Sequence, residues 1–465
     1  LKEKPNILFV IPDGVGIRNY LYSSIISHIK NKSNLHFWTT LPNTAVEEVE
    51  KLHSIPIGYN KITLPKESTL TRLYREASTY ARLLHNSKLL NNATILNSWN
   101  KSKRSLKVKV LYFLAETLGA YASKKYNRIL SLENKSLKHW DRKVIDHFKT
   151  QLEVLKPSVI FITHQRVAFL NPISIAAKEL NIKVICTIYS WDNSPKASLA
   201  IKADEYLVWS TYMKNELSLL YPEIETSNIK VTGTPQFEFY FDTNRQISRT
   251  DFAEKYNLNA TKKWICFSGD DIKTSPNDPE YLGDVAKAVK EIPLEERPNI
   301  IFRKCPVDVS ERYNNVLTEY SDIITPIEPI WNTDVKSWGA VYPKIEDIDL
   351  LVTIAFHCEL VINIGSTMAH DFAVYNKPCF YINYNQNAAT NWSVEKVYNF
   401  QHFRSMGQLD AVGWFNSKEE IKEKIIIGLK HPDTIAIDKK DWMKVIVNHP
   451  LEDNAKLIAN QLLND

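Results

Sequence analysis

The 465-residue chain lacks several features that would place it in special classes. Its five cysteines, Cys186, Cys266, Cys305, Cys358 and Cys379, make no CxxC and no short Cys/His spacing of the zinc-binding kind. That argues against a zinc site, and an odd number in apolar, strand-like contexts predicts reduced core thiols. No run approaches the ~18–20 apolar residues that cross a bilayer. The first residues, LKEKPNILFVIP, enter a strand directly and do not read as a signal peptide, so a cytoplasmic protein is expected. There is no internal repeat, low-complexity tract or long Gly/Ser linker. A net charge of +5 is modest for this length and gives no reason to expect a nucleic-acid partner.

What remains is a globular composition, 44% hydrophobic and 24% charged, long enough for two domains with their own cores. Strands and helices alternate, which predicts an α/β protein with parallel sheets covered on both faces. NILFVIP (6–12), LHFWTT (35–40), VIFIT (159–163), KVICTIY (183–189), EYLVWS (205–210) and IKVTGT (229–234) read as strands of one half. WICFSGD (264–270), NIIFRK (299–304), DIITPI (322–327), ELVINIG (359–365) and CFYINY (379–384) read as strands of the other. The polar stretch 244–261 marks the boundary, giving expected domains of 1–245 and 246–437, with helices over 438–465 packing back on the first. A mostly helical insertion is expected at about 67–156. The default ligand site of such a chain is a cleft at the carboxyl ends of its strands.

Residues Glu359 to Tyr381, ELVINIGSTMAHDFAVYNKPCFY, concentrate the chemistry. An apolar strand meets Gly365, which lets the backbone turn; Ser366 and Thr367 then open a helix whose first N–H groups favour anions. If the helix starts at Ser366, Thr367 and Asp371 share one face, with the carboxylate a turn beyond a diphosphate and suited to sugar hydroxyls. Lys377–Pro378 stops the helix. The plainer alternative makes Ser366 an ordinary cap and Asp371 a solvated helix residue.

The segment resembles the C-terminal donor site of GT-B glycosyltransferases, and within them the CDP-glycerol glycerophosphotransferase-like and surface-carbohydrate enzymes. The likeness lies in Ser366, Thr367, Asp371, Phe372, Lys377 and Pro378. A second stretch resembles a bacterial glycosyltransferase-like group through SWDN (Ser190 to Asn193), LVWS (Leu207 to Ser210) and VTGTPQF (Val231 to Phe237). The resemblance implies two Rossmann-like domains facing each other across a cleft. It further implies a nucleotide-sugar donor, a glycan or lipid-linked glycan acceptor of the cell envelope, and a metal-independent reaction with no separate cofactor.

Three further strand ends are expected to serve that site. Ser268 and Gly269, before Asp270 and Asp271, form a small turn that a phosphate can approach, or a plain turn. Arg303 and Lys304 end a strand with two cations for a leaving diphosphate. The resembled families often carry His before the following Pro; here Cys305 stands there and reads as structural. In the first half, Asp13, Gly14, Gly16 and Arg18 follow a strand. A GxG without a third glycine is a weak dinucleotide fingerprint. In a GT-B arrangement this loop faces the acceptor, with Asp13 a candidate base and Arg18 an anion contact. His164 and Asp192 compete for the catalytic role, though each also reads as a satisfied structural residue. Asp347-Ile348-Asp349 matches a metal-holding DxD string but begins a helix-like run, where acids suit the dipole alone, so it reads as structural.

Between Lys101 and Arg128, Lys103, Arg104, Lys107, Lys109, Lys124 and Lys125 add to a basic stretch with one acid, Glu116, around the apolar LYFLAETLGAY. Two readings stand: a membrane-surface helix holding the enzyme at the inner face of a membrane near a lipid-linked acceptor, or a solvated basic face over a core stripe. The function expected is transfer of a sugar from a nucleotide donor to a hydroxyl of a surface-glycan precursor. Transfer of a CDP-linked polyol phosphate, nucleotide-sugar 2-epimerisation and a non-catalytic nucleotide-sugar-binding scaffold are the alternatives.

Overall fold

The computed structural model describes residues 4–101, 105–197, 199–332, 341–386 and 392–463. Lys103 and Arg104 of the basic stretch lie outside them. The chain forms two compact units. One comprises the described parts of Leu1–Gln236, Thr333–Tyr342 and Ile446–Asp465; the other comprises those of Phe237–Asn332 and Pro343–Val445.

The first unit is built on seven parallel strands: β1 (Asn6–Ile11), β2 (Asn34–Thr39), β3 (Gly58–Lys61), β4 (Pro157–Ile162), β5 (Lys183–Thr187), β6 (Glu205–Val208) and β7 (Ile229–Val231). Their order is β3-β2-β1-β4-β5-β6-β7. The near-continuous apolar run of β1 follows from burial on both faces, as parallel sheets require. Phe9 meets Phe37 of β2 and Phe161 of β4 edge-on, with centroids 5.4 and 5.5 Å away.

Between β3 and β4 the chain leaves the sheet for the helices Thr69–Leu89, Leu106–Ala122, Tyr126–Lys138 and Arg142–Leu155. Ser68 caps the first by accepting the Thr71 N–H. Buried Arg82 joins these helices to the body of the unit through ion pairs with Glu133 and Glu223 and a bond to the Leu220 carbonyl. At the other end of the chain, the Asn454–Leu463 helix packs on the Ile25–Ile29 helix, and Asn454 Nδ2 donates to the Thr234 carbonyl at 3.3 Å.

The second unit carries six parallel strands: β8 (Trp264–Ser268), β9 (Asn299–Arg303), β10 (Ile324–Ile327), β11 (Val361–Asn363), β12 (Cys379–Ile382) and β13 (Gly413–Phe415), in the order β10-β9-β8-β11-β12-β13. Phe380 stacks on Phe415 at 4.6 Å, tying β12 to β13. The contacts divide the chain near residue 236, ahead of the polar stretch from which the sequence reading placed the break at 245. Tyr240 and Arg245 explain the difference. The Tyr240 carbonyl accepts from the Tyr375 hydroxyl at 2.7 Å, and Arg245 Nη1 donates to Asp349 Oδ1 at 2.7 Å. Similarly, Trp442 lies against His370 at 4.3 Å, so the second division falls after Val445 and not at 438.

In each sheet the strand order reverses direction once, between β1 and β4 and between β8 and β11. Ligands of open α/β sheets bind beyond the carboxyl ends of strands at such a reversal. Asp13 and His164 follow β1 and β4, while Gly269 and Gly365 follow β8 and β11. Among the described residues, no helix is long and apolar enough to cross a membrane.

Candidate functional site

In the first unit, Asp13 ends the β1 segment in extended backbone and caps a short turn, its Oδ1 accepting the Gly16 N–H at 2.9 Å. Its Oδ2 lies 2.7 Å from His164 Nδ1. A carboxylate there favours the tautomer with the proton on Nδ1, leaving Nε2 with the lone pair. The two side chains are 20% and 19% exposed, open to a small molecule yet partly withdrawn from water. His164 also lies flat on Tyr189, with centroids 4.0 Å apart and planes at 12°. Tyr189 is fixed by Gln165, whose Oε1 accepts the Tyr189 N–H at 2.9 Å and whose Nε2 donates to Asn193 Oδ1 at 3.3 Å. Burial, with the Asp13 carboxylate adding, pushes the Tyr189 phenol up and keeps it protonated, while nearby Arg18 opposes the shift.

Arg18 belongs to a widened helical turn, Ile17–Leu21, closed by a bond from the Tyr22 N–H to the Ile17 carbonyl at 3.0 Å. Such turns are frequent at functional sites. Among the described residues, no hydrogen-bond partner meets the enclosed Arg18 Nε. Gly14 and Gly16 are buried in the same loop. Asp192 is engaged by Lys196 Nζ and by Asn193 Nδ2, the latter at 2.7 Å, so its charge is already matched. The structure thus joins two of the competing candidates, Asp13 and His164, into one dyad.

In the second unit, β11 ends in buried Asn363, whose Oδ1 accepts the Ser366 N–H at 2.9 Å. The Ser366 carbonyl accepts from the Tyr381 hydroxyl at 3.2 Å. Gly365 has φ +71°, and a Cβ there would lie 2.7 Å from Phe403 Cζ, so the turn requires glycine. The helix begins at Met368, two residues later than the sequence suggested, and runs only to Val374. Thr367 is its N-cap residue, and Asp371, in its first turn, is only 6% exposed. Its neighbour His370 is fully enclosed, and burial pushes the imidazole down to about 3, so it is neutral.

The loop after β8 is held by side chains that the sequence gave no reason to select. The Gly269 N–H donates to the Arg303 carbonyl at 2.9 Å, and the Asp270 N–H to Asp278 Oδ2 at 2.6 Å. Arg312 donates to the Asp270 and Ser275 carbonyls at 2.6 Å and to Asp308 at 2.7 Å. Burial raises Asp278 to about 6 despite bonds from Ser275, Asp270 and Tyr313; burial and the Asp278 charge raise Asp270 as well. Ser268 is buried at the strand end.

Arg303 differs from the open cation pictured from sequence. It is 6% exposed, and its Nη2 contacts both Asp347 oxygens at 2.9 Å. Asp347 also accepts the Ile330 N–H at 2.8 Å and Trp331 Nε1 at 3.0 Å, a stronger demand than the helix dipole makes. A buried guanidinium requires such a partner. Lys304 pairs with exposed Glu328 at 2.9 Å. Beyond β12 and β13, Asn383, Glu395, Tyr398, Asn399, Trp414 and Asn416 line an open cavity of about 300 Å³, an amide-rich, aromatic-walled space of a kind that suits a base or sugar. Among the described residues, no group of three or more His, Cys, Asp or Glu is arranged to hold a metal ion.

No protein-family model matches the chain, and no curated protein is significantly similar in sequence. Solved structures are similar in fold. The UDP-GlcNAc 2-epimerase of Methanocaldococcus jannaschii is 12% identical, with a TM-score of 0.53 over 98% of this chain and 99% of that one. A glycosyltransferase from Rickettsia africae ESF-5 is 12% identical, with a TM-score of 0.53 over 99% of each chain. The UDP-GlcNAc 2-epimerase of Neisseria meningitidis, in a structure bound to UDP-GlcNAc, is 11% identical, with a TM-score of 0.50 over 99% and 100%. At such identities the likeness is one of fold: the chain has the GT-B fold, with two Rossmann-like units.

Proposed function

We propose that the chain is a glycosyltransferase that moves a sugar from a nucleotide-linked donor to a hydroxyl of a surface-polysaccharide or glycolipid precursor. The observation that carries the reading is the Asp13–His164 dyad at the strand-order reversal of the first sheet. A carboxylate on Nδ1 orients the imidazole and stabilises the cation formed when Nε2 takes a proton. In the proposed step the acceptor oxygen bonds to the anomeric carbon, the bond from that carbon to the donor diphosphate breaks, and the acceptor proton passes to His164 Nε2. Asp13 is the orienting group and not the base itself. Arg18 is the anion contact beside it.

The nucleotide side is assigned to the second unit, at the Gly365–Thr367 turn and the Ser268–Gly269 loop, where the second reversal supports it. The fold relatives that act on or bind UDP-GlcNAc support a nucleotide-sugar donor. Asp371 and Arg303, being largely enclosed, shape this region from beneath the turn and the strand end. The donor is a substrate, and the proposal invokes no further cofactor.

The test begins with thermal shifts against UDP, GDP, CDP and their common sugars. Saturation at about 100 times the dissociation constant adds ~2.7 kcal/mol of stability. Nucleotide release is then followed with the stabilising donor. Wild type is expected to release nucleotide, and His164→Ala to release it about 10²–10⁴-fold more slowly. Appearance of a free 2-epimerised sugar with no acceptor would replace transfer by epimerisation, and release of nucleoside monophosphate would indicate polyol-phosphate transfer. Stabilisation by no nucleotide at all would remove the enzymatic reading.

A further inference from the structure

The Leu106–Ala122 helix reverses the usual arrangement of a helix in a globular unit. Its inward face is mostly small: Ala115, Gly119 and Ala122 are buried with one large residue, Tyr112, whose hydroxyl donates to Glu76 at 3.3 Å, and the small residues pack with Ala77 and Ala81 of the Thr69–Leu89 helix. The approach is close, since a Cβ on Gly119 would lie 2.7 Å from the Ala77 carbonyl oxygen. Six large apolar side chains point the other way. Leu106, Val110, Phe113, Leu114, Leu118 and Tyr121 are 77%, 51%, 68%, 45%, 37% and 58% exposed. Their spacing of i, i+4, i+7, i+8, i+12 and i+15 makes one continuous stripe along the helix. Isolated exposed apolar residues need no explanation, but a stripe of this length on one face marks a contact surface.

The charges around the stripe give its partner a sign. At 100° per residue, Lys107 and Lys109 fall on opposite flanks of the stripe at its N-terminal end, and both are exposed. Lys124 and Lys125 follow the helix, and the Arg128 guanidinium lies 4.1 Å above the Tyr121 ring. The one acid in the helix, Glu116, is turned away to Lys101 and accepts from Trp99 Nε1 at 2.8 Å. The exposed face therefore has an apolar centre, a purely cationic rim and an aromatic residue at its end. A second copy meeting this face would bring two cationic rims together. The helix is also too short and too charged at its start to span a bilayer.

We propose that this face is a docking surface for an anionic lipid bilayer, on which the helix lies parallel to the membrane. Phe113, Leu114 and Val110 enter the acyl boundary, the lysines engage lipid phosphates, and Tyr121 with Arg128 sits at headgroup level. The inference stands apart from the chemistry assigned to the strand ends, because it rests only on this helix.

The experiment is co-sedimentation of the full chain with vesicles of phosphatidylcholine alone and of phosphatidylcholine mixed with phosphatidylglycerol, at low and high salt. Binding is expected on the anionic vesicles, weakened by salt. Phe113→Ser with Leu114→Ser is expected to lower the affinity roughly tenfold or more, and Lys107→Gln or Lys109→Gln roughly fivefold each. Both sets of residues are exposed, and an unchanged melting curve checks that the variants fold. Failure of the wild-type chain to bind anionic vesicles overturns the proposal, as does binding by the serine variant equal to wild type. A concentration-dependent dimer in sedimentation velocity that the serine variant abolishes overturns it in favour of self-association.

Discussion

Asp13 and His164, 151 residues apart in sequence, meet through a 2.7 Å contact from Oδ2 to Nδ1. Neither residue alone defines a function; together they resemble the orienting half of a general-base pair. Replacing Asp13 by Asn keeps the shape but places an amide opposite Nδ1, which removes the charge that stabilises an imidazolium. Asp13→Asn and His164→Ala are each expected to slow nucleotide release by about 10²–10⁴-fold. The double variant should be little worse than the single ones, since the two act as a unit. Single-turnover rates check this, and fully multiplicative losses would mean the residues act separately.

Tyr189 supports the same imidazole from its face, at 4.0 Å. Tyr189→Phe retains the stack and is expected to keep near wild-type activity. Tyr189→Ala removes it; an aromatic pair is worth ~0.5–1.5 kcal/mol, so roughly a two- to tenfold loss is expected. A large loss in the Phe variant would show instead that the hydroxyl takes part in the reaction.

The fold was legible because parallel strands buried on both faces must be apolar runs, and β1, β4 and β8 announce themselves in that way. The Gly-Ser-Thr turn was legible for a related reason, since glycine after a buried strand marks a backbone that other residues cannot follow. Pairings across the chain were not. The sequence presents Asp13 and His164 as rivals because nothing local says that β1 and β4 are neighbours. Arg303 looks like an open cation because its partner, Asp347, is 44 residues away and itself looks like a helix-start acid. Arg312 and Asp278 sit in polar segments with no periodicity to single them out. For the Leu106–Ala122 helix, apolar periodicity was visible, but not that Ala115, Gly119 and Ala122 face inward with Tyr112 while Phe113, Leu114 and Leu118 face outward.

The Arg303–Asp347 pair gives a stability prediction. Both side chains are less than a tenth exposed, so removing one strands the other's charge away from water. Asp347→Ala is expected to cost about 3–5 kcal/mol in urea denaturation. Arg303→Met combined with Asp347→Leu should recover only part of that, since the Ile330 N–H and Trp331 Nε1 still lose their acceptor. A single variant within about 1 kcal/mol of wild type would mean that water reaches the pair.

Gly365 is expected to tolerate no side chain. With φ +71° and Phe403 Cζ at 2.7 Å from a Cβ, Gly365→Ala meets both backbone strain and a clash. A loss of about 1–3 kcal/mol is expected, with loss of stabilisation by nucleotide if the turn binds it. A variant that melts normally but no longer responds to nucleotide separates the site from the fold. One that melts and responds as wild type shows that the turn relaxes.

Asp278 sets a pH dependence. Burial holds its folded carboxyl near 6, above the value of about 4 that it has in an unfolded chain. Between those values the folded state binds more protons than the unfolded one, so stability falls as pH rises from about 4 to 6 and levels off above. Two pH units at ~1.4 kcal/mol each put the effect on the order of 3 kcal/mol. Asp278→Asn keeps an acceptor oxygen for the Asp270 N–H and the Tyr313 hydroxyl but cannot titrate, so its stability should fall less, the remainder coming from buried Asp270. Carboxylates held low, such as Asp308, which accepts from the Ser310 hydroxyl and N–H and then from Arg312, act in the opposite direction, losing stability as pH drops below the ordinary carboxylate range. The difference between wild type and Asp278→Asn separates the Asp278–Asp270 pair from theirs. Parallel stability curves for the two proteins from pH 4 to 6 would show that Asp278 is ionised throughout, and that Arg312 outweighs its burial.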